Sequence, residues 1–432
     1  MGLNGLALPE LSAYDPGVAG EGSLDPMGLA AISDGLANRL VPGLRARMQR
    51  FRFVTAMAVG ALACETLADE LPADEISTPA ICFEWIVIEA FVRRFPPGQV
   101  PSAVPGSQKA RVVTNRGGRL SAGTYLKGPA VFGFNGVYKP FAVDSGITGA
   151  DLEPGSRCVE LVRAWEQGEG VQGFADAVPG TDGGRLRENI RDQVRQALRA
   201  GHCATNPKSW LFGQLATSLH PEGGGPDERR ALRSLVDHSV HETRAELASL
   251  LNGIDDELEE YEILEAIRPR CSASLAILVD AVVAYEQFAT TADVAFRSLC
   301  AMSLAFGTQP LTPMHAAASE VIIQSASRLP DLYRRAANCM AALDAEAGLE
   351  QRLGEFAIPR PPSELVELLF SHHEQVQQQK PPNGKRPWFE PIRDGWVVRG
   401  PYARTERTEL GPHFIHPVRV GALCRLLEDS EA

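Results

Sequence analysis

Four groups of side chains in this sequence have the types and spacing for chemistry. His238 and His241 lie three apart with Glu242 adjacent, and on a helix running from Asp227 to Leu251 that spacing sets two imidazoles on one face, where a divalent metal could be held. No third ligand is close in sequence, and His-x-x-His-Glu is not the His-Glu-x-x-His order of zinc proteases, in which the Glu sits between the ligands to reach the water. The pair reads as polar surface histidines, with no metal. His413 and His416 repeat the spacing in a loop beside Arg419, and His372 and His373 are adjacent at a helix end. Such groups can touch phosphate or act as a nuclease base, although loop histidines are ordinarily just exposed. From Asp255 to Glu265, seven of eleven residues are acids: Asp255, Asp256, Glu257, Glu259, Glu260, Glu262 and Glu265. Paired carboxylates can hold Mg2+, but acids in the first turn of a helix also complement its dipole without any metal, and a solvated, dipole-complementing face is the reading taken.

The fourth group is cationic. The chain carries a net charge of −12, with 54 acids in 432 residues, yet no Asp or Glu occurs from Ala90 to Val143. That window holds Arg93, Arg94, Lys109, Arg111, Arg116, Arg119, Lys127 and Lys139. A purely cationic block in an acidic protein marks an anionic partner, and the residues expected to contact nucleic acid are Lys109, Arg111, Arg116, Arg119 and Lys127. A second basic stretch, Arg185 to Gly201, carries Arg185, Arg187, Arg191, Arg195 and Arg199, but Glu188 and Asp192 interrupt them, so it reads as a salt-bridged solvent face. The sequence holds no Gly-x-x-x-x-Gly-Lys-Ser/Thr, no Gly-x-Gly-x-x-Gly opening a helix after a strand, no Gly-x-Ser-x-Gly and no Cys-x-x-Cys, and no cofactor is expected.

The elements that must position these groups are helical. Leu24 to Cys64 organises the rest: Asp25 is the expected N-cap with Pro26 at the first helical position, and Leu29, Ile32, Leu36 and Leu40 follow at helical spacing until Val41-Pro42-Gly43 ends the helix. A second helix begins after five solvated arginines (Arg39, Arg45, Arg47, Arg50, Arg52) and runs as an apolar core segment from Phe53 to Cys64. Ala80 to Phe95 predicts a further helix. Gln99 to Thr124 reads as a loop with at most a short strand near Arg111 to Thr114. Two short helices around the turn Asp144-Ser145-Gly146 are compatible with a helix-turn-helix or winged-helix module. Asp227 to Gly348 reads as a helical bundle, with Cys271 to Gly307 a buried helix pair and a break at Pro330. Trp388 to Arg399 carries the best strand-turn-strand signal, and a last helix spans about His416 to Asp429.

The short Gly/Leu helix, then Leu40-Val41-Pro42-Gly43, then Arg47-x-x-Arg50-x-Arg52-Phe53 resembles the N-terminal signature of uncharacterised bacterial proteins encoded beside phage-defence or restriction genes. The likeness covers roughly forty of the 432 residues. Arg45, Arg47 and Met48 stand where a Thr-x-Arg step is expected, and Phe53 stands where Tyr is usual. The resemblance implies a bacterial, defence-associated setting and carries no catalytic residue across.

The expected fold class is mainly α, in six consecutive pieces: a flexible N-terminal arm (1–22), a helical N-terminal domain (23–98), a basic loop (99–124), a winged-helix segment (125–201), a helical bundle (202–357), and a linker, helix and β-hairpin (358–432). Eight cysteines, no two closer than 18 positions, read as unpaired, mostly buried thiols in a cytoplasmic protein, and the N-terminus lacks the pattern of an export signal. The preferred function is a non-enzymatic accessory or adaptor subunit of a multi-protein bacterial system, contacting other subunits and, through the basic loop, DNA or RNA, with no membrane. The alternatives are a metal-dependent nuclease or toxin-like effector with dispersed Asp, Glu and His, and a scaffold that binds only protein.

Overall fold

In the computed structural model the described residues are 25–96, 98–101, 103–126, 133–254, 258–307, 309–381, 383–402 and 409–431. Among them the chain forms 17 α-helices and one two-stranded antiparallel sheet, so the fold is mainly α with a small hairpin near the C-terminus. The backbone divides into two compact units, each made of two stretches of chain: residues up to Leu36 with Ala276–His416, and Ala37–Leu275 with Pro417–Ala432. This discontinuous division differs from the six consecutive pieces expected. The N-terminal arm, Lys127, Asp255, Asp256 and Glu257 lie outside the described residues.

The chain starts with α1 (Ala30–Leu40), where the Asp25 carboxylate accepts from the Leu29 and Ala30 amides at 2.8 and 3.1 Å, so the cap acts a turn later than Pro26 at the first helical position implied. In the larger unit, α2 (Arg52–Cys64) is buried at every residue, as its apolar run requires. It crosses α3 (Pro79–Arg94) at Gly60, where a Cβ would lie 2.6 Å from the Phe83 ring. Thr78 caps α3, with Pro79 at its first position. Phe53 stacks on Phe134 at 5.6 Å and Phe83 meets the same ring edge-on, which ties α2 and α3 to the helix that Phe134 opens.

Several expectations for this unit are corrected. The stretch 99–124 contains a helix, α4 (Ser107–Asn115), where a loop was expected; its residues are mostly polar and only Ala110 is buried, and α4 packs on α3. A winged helix needs a β-hairpin wing. Across 125–201 the described residues form α5 (Phe134–Asp144), α6 (Cys158–Gly168) and α7 (Asp182–Ala200), and β pairing there is limited to the single bridge Thr148–Pro154. Arg52, expected in solvent, is buried: it chelates the fully buried Glu228 with Nε and Nη2, both at 3.0 Å, and also holds Glu169 and the His220 carbonyl. Arg187 of α7 is likewise buried, donating to the Leu62, Phe174 and Ala175 carbonyls, while Arg185, Arg191, Arg195 and Arg199 form the expected surface ion pairs.

The unit continues with α8 (Trp210–Ser218), α9 (Pro226–Asp237), α10 (Glu242–Leu251) and α11 (Glu260–Ile267). Asp237 to Glu242 is a turn, so the expected single helix Asp227–Leu251 is two.

In the smaller unit, the expected helix pair is one helix, α12 (Ala273–Ala305), of which Ala276 onward belongs here. It is long and apolar enough to cross a membrane, and 78% of its most apolar window is buried inside the protein. Its buried acids are compensated: Glu286 accepts from Ser33 Oγ at 2.6 Å and pairs with His416 Nδ1 at 3.0 Å, and Asp293 pairs with Arg297 at 2.5 Å. After α13 (Pro313–Ala317), α14 (Glu320–Ala341) runs straight through Pro330, because burial of Leu329, Pro330 and Tyr333 outweighs the one backbone bond a proline forfeits. Next come α15 (Glu346–Leu353) and α16 (Pro362–Gln378). The hairpin pairs β1 (Phe389–Ile392) with β2 (Gly395–Val398), with Pro391 opposite Trp396, and the Trp396 amide and carbonyl both bond Leu311. The larger unit is completed by α17 (Val420–Glu431), from which Asp429 accepts the Phe51 amide at 2.8 Å and Arg50 Nη1 at 2.9 Å.

Candidate functional site

The C-terminal end of α3 gathers the cations. A helix end leaves carbonyls without intrahelical partners, and its dipole favours positive charge there. Arg111 uses this, donating Nη2 to the Phe95 carbonyl at 2.9 Å. One turn back, the buried carboxylate of Glu89 receives Arg93 Nε at 2.7 Å and the Leu120 amide at 2.9 Å, and Arg119 Nη1 lies 3.5 Å from it. Arg119 also donates to the Cys203 carbonyl at 2.8 Å and to the Thr205 carbonyl. Lys109 donates to the Tyr125 carbonyl. Arg116 is exposed past the end of α4, and Lys127 is outside the described residues.

Of the five cations expected to contact nucleic acid, Lys127 is outside the described residues, Arg116 is exposed, and the other three hydrogen-bond within the chain. Lys109, Arg111 and Arg119 are committed to carbonyls of their own chain, and Arg119 also lies 3.5 Å from Glu89, just upstream of the acid-free window. What they build is a support. Arg119 and Arg93 share the Glu89 carboxylate, and the Arg119 anchor to Cys203 and Thr205 fixes the segment that leads into α8.

On that support lies a groove of about 380 Å3 lined by Arg93, Arg94, Lys208, Ser209, Trp210 and Phe212, among others. No described residue lining it is acidic. Arg94 and Lys208 are exposed, and the Arg93 guanidinium lies over the Phe212 ring, 5.9 Å from its centre, with its buried Nη2 lacking a hydrogen-bond partner. Ser209 caps α8 through its hydroxyl, which sets the positive end of that helix dipole on the same side as the cations. Trp210, first residue of α8, is 55% exposed. Glu89 offsets the charge of Arg93, whereas Arg94 and Lys208 face a groove with no acidic described residue in its lining, and an anion there would meet their charge. In the sequence, Arg93 and Arg94 stand inside the acid-free window, whereas Lys208 and Trp210 lie more than a hundred residues downstream and outside it. Their only local signal is a tryptophan directly after Lys208-Ser209 at a helix start.

The remaining constellations are structural in their contacts. His238 and His241 fall in the turn between α9 and α10; His241 Nε2 lies 2.5 Å from Asp144, which also accepts from the buried Arg244 at 2.6 Å. His372 and His373, expected at a helix end, lie within α16 and are buried. His373 Nδ1 donates to the Pro26 carbonyl at 2.8 Å and Nε2 accepts the Trp388 amide at 2.9 Å, which fixes one neutral tautomer. Burial pushes its pKa down to about 4. Glu259 and Glu262 form the capping box of α11, while Glu260 accepts the Val418 and Gly421 amides at the start of α17. Among the described residues no group of three or more His, Cys, Asp or Glu converges on a metal position.

A larger pocket, about 850 Å3, lies among α2, α3 and α5, with Cys64, Ile76, Ile81, Asn135 and Lys139 in its wall. Burial pushes the Cys64 thiol up to about 12, so it stays protonated and is no nucleophile at neutral pH. Behind Asn135, the fully buried Glu84 accepts from Tyr125 Oη at 2.8 Å and from the Asn135 amide and Nδ2, both at 3.0 Å. Burial raises its pKa to about 7 against these bonds. Compared with known proteins, the chain matches no family model, no curated protein and no solved structure.

Proposed function

We propose that the chain is a non-enzymatic accessory subunit that contacts nucleic acid through the groove between the end of α3 and the start of α8, within a multi-protein bacterial system. One observation carries this reading: Arg93, Arg94, Lys208 and a helix N-terminus converge on an acid-free groove in a chain of net charge −12. An anionic backbone with evenly spaced phosphates answers that arrangement. The bacterial, defence-associated setting rests on the N-terminal likeness alone.

Filter binding at two salt concentrations tests it. Wild-type protein should retain DNA or RNA at low salt, and Arg94→Gln with Lys208→Gln should weaken retention across sequences. The same pair should flatten the salt dependence by about 0.7 to 0.9 log unit for each phosphate that is no longer neutralised. Arg119→Ala should instead lower the melting temperature, because its guanidinium ties backbone carbonyls. Absence of binding to duplex, single-stranded DNA and RNA alike would leave a scaffold that binds only protein.

A further inference from the structure

Resting on that reading, we infer that the groove is a site for single-stranded nucleic acid, in which an unpaired base stacks on the Trp210 indole while Arg94 and Lys208 hold the flanking phosphates. Exposure of Trp210 is the first ground. Trp85 and Trp165 are fully buried and Trp388 nearly so, Trp165 donates its indole N–H to the Ser218 carbonyl at 2.7 Å, and the half-buried Trp396 stacks on the Phe370 ring at 4.1 Å, so each of these four is engaged within the fold. Trp210 instead shows 55% of its surface at the first position of α8, a place where helix formation asks for no aromatic ring.

The second ground is the company it keeps. The indole lines the same groove as Arg93, Arg94 and Lys208, and no described lining residue is acidic. Cations that track a backbone beside an aromatic face that takes any base are the elements of sequence-tolerant single-strand binding. The planar Arg93 guanidinium, held over Phe212, adds a fixed positive charge to the groove wall. Rigidity is the third ground: Glu89 fixes Arg93, and Arg119 fixes the chain from Cys203 to Thr205, so the platform is held before any ligand arrives. A duplex presents phosphates but keeps its base faces inside the stack, so an indole at the surface gains nothing from it unless a base is extruded. An acidic peptide satisfies the cations but leaves the indole without a π face.

The test uses the full chain and three labelled probes: an oligothymidylate of about 15 nucleotides, a hairpin duplex of equal charge, and an oligoglutamate peptide. Anisotropy titrations are paired with intrinsic tryptophan emission. The expected result is tightest binding to the oligothymidylate with quenched emission, a loss of about five- to a hundredfold in Trp210→Ala, and near-complete retention in Trp210→Phe. Melting temperatures of both variants should match wild type, because the side chain is exposed. Equal affinity for oligothymidylate and duplex, unaltered by Trp210→Ala, overturns the single-strand inference while the nucleic-acid reading stands. Binding of oligoglutamate alone, or of no probe, overturns both.

Discussion

Glu84 is fully buried and is held by three hydrogen bonds from Tyr125 and Asn135. Those donors steady the charged form, but burial dominates and leaves its pKa at about 7 against an ordinary 4.5. The folded state therefore binds this proton more tightly than the unfolded chain does. The stabilisation is complete below about pH 4.5 and is lost as pH rises to about 7, a swing on the order of a few kcal/mol. Glu84→Gln keeps an acceptor for the Tyr125 hydroxyl and cannot ionise. Urea denaturation at pH 5 and pH 7.5 should show wild type losing more stability than the variant between the two; equal losses would place the titration elsewhere. At the same scale, Arg52 shows how far a side chain's fate depends on its partners. Its sequence neighbours place it with Arg45 among solvated cations, yet Glu169 and Glu228, more than a hundred residues away, draw it inside. A charge's partner across such separations leaves no local trace.

Among elements, those with strong local patterns were legible. The apolar run of α2, the apolar stretch of α3 from Ala80 and the Arg393-Asp394 turn between β1 and β2 each carry their signal within a few residues. The failures share a cause, which is tertiary packing acting against weak or contrary local preference. Helix α4 has one buried residue, α14 tolerates Pro330, and the groove joins Arg93 to Lys208 only because α3 lies on α8. Truncating the core side of α1 and removing the buried cation at the start of α2 should therefore both be costly. Leu40 is fully buried, so Leu40→Ala should lose about 2 to 5 kcal/mol. Arg52→Ala leaves Glu228 buried without its partner and should lose about 3 to 5 kcal/mol. Arg45→Ala, at an exposed position, should change stability by less than about 0.5 kcal/mol. Thermal or urea melts of the three variants decide it, and similar small shifts throughout would contradict the packing described.

For the whole molecule, each unit waits on residues from distant parts of the chain. The larger unit closes only when Pro417–Ala432 returns to it, bringing Asp429 to the Phe51 amide and Arg50, and the start of α17 to Glu260. A chain stopped after His416 should accordingly lose protection in the larger unit, visible as faster amide exchange around α2 and α11; unchanged exchange there would show that α17 is dispensable. The hairpin bears on how separate copies behave toward one another. Because the Trp396 amide and carbonyl both face Leu311, Pro391 opposite it points its backbone away from β2, where the missing N–H costs the ladder nothing. That position is the outer rim of the sheet, where a passing extended strand would otherwise dock. A proline there refuses it a donor, so this short hairpin carries its own guard against edge-to-edge aggregation.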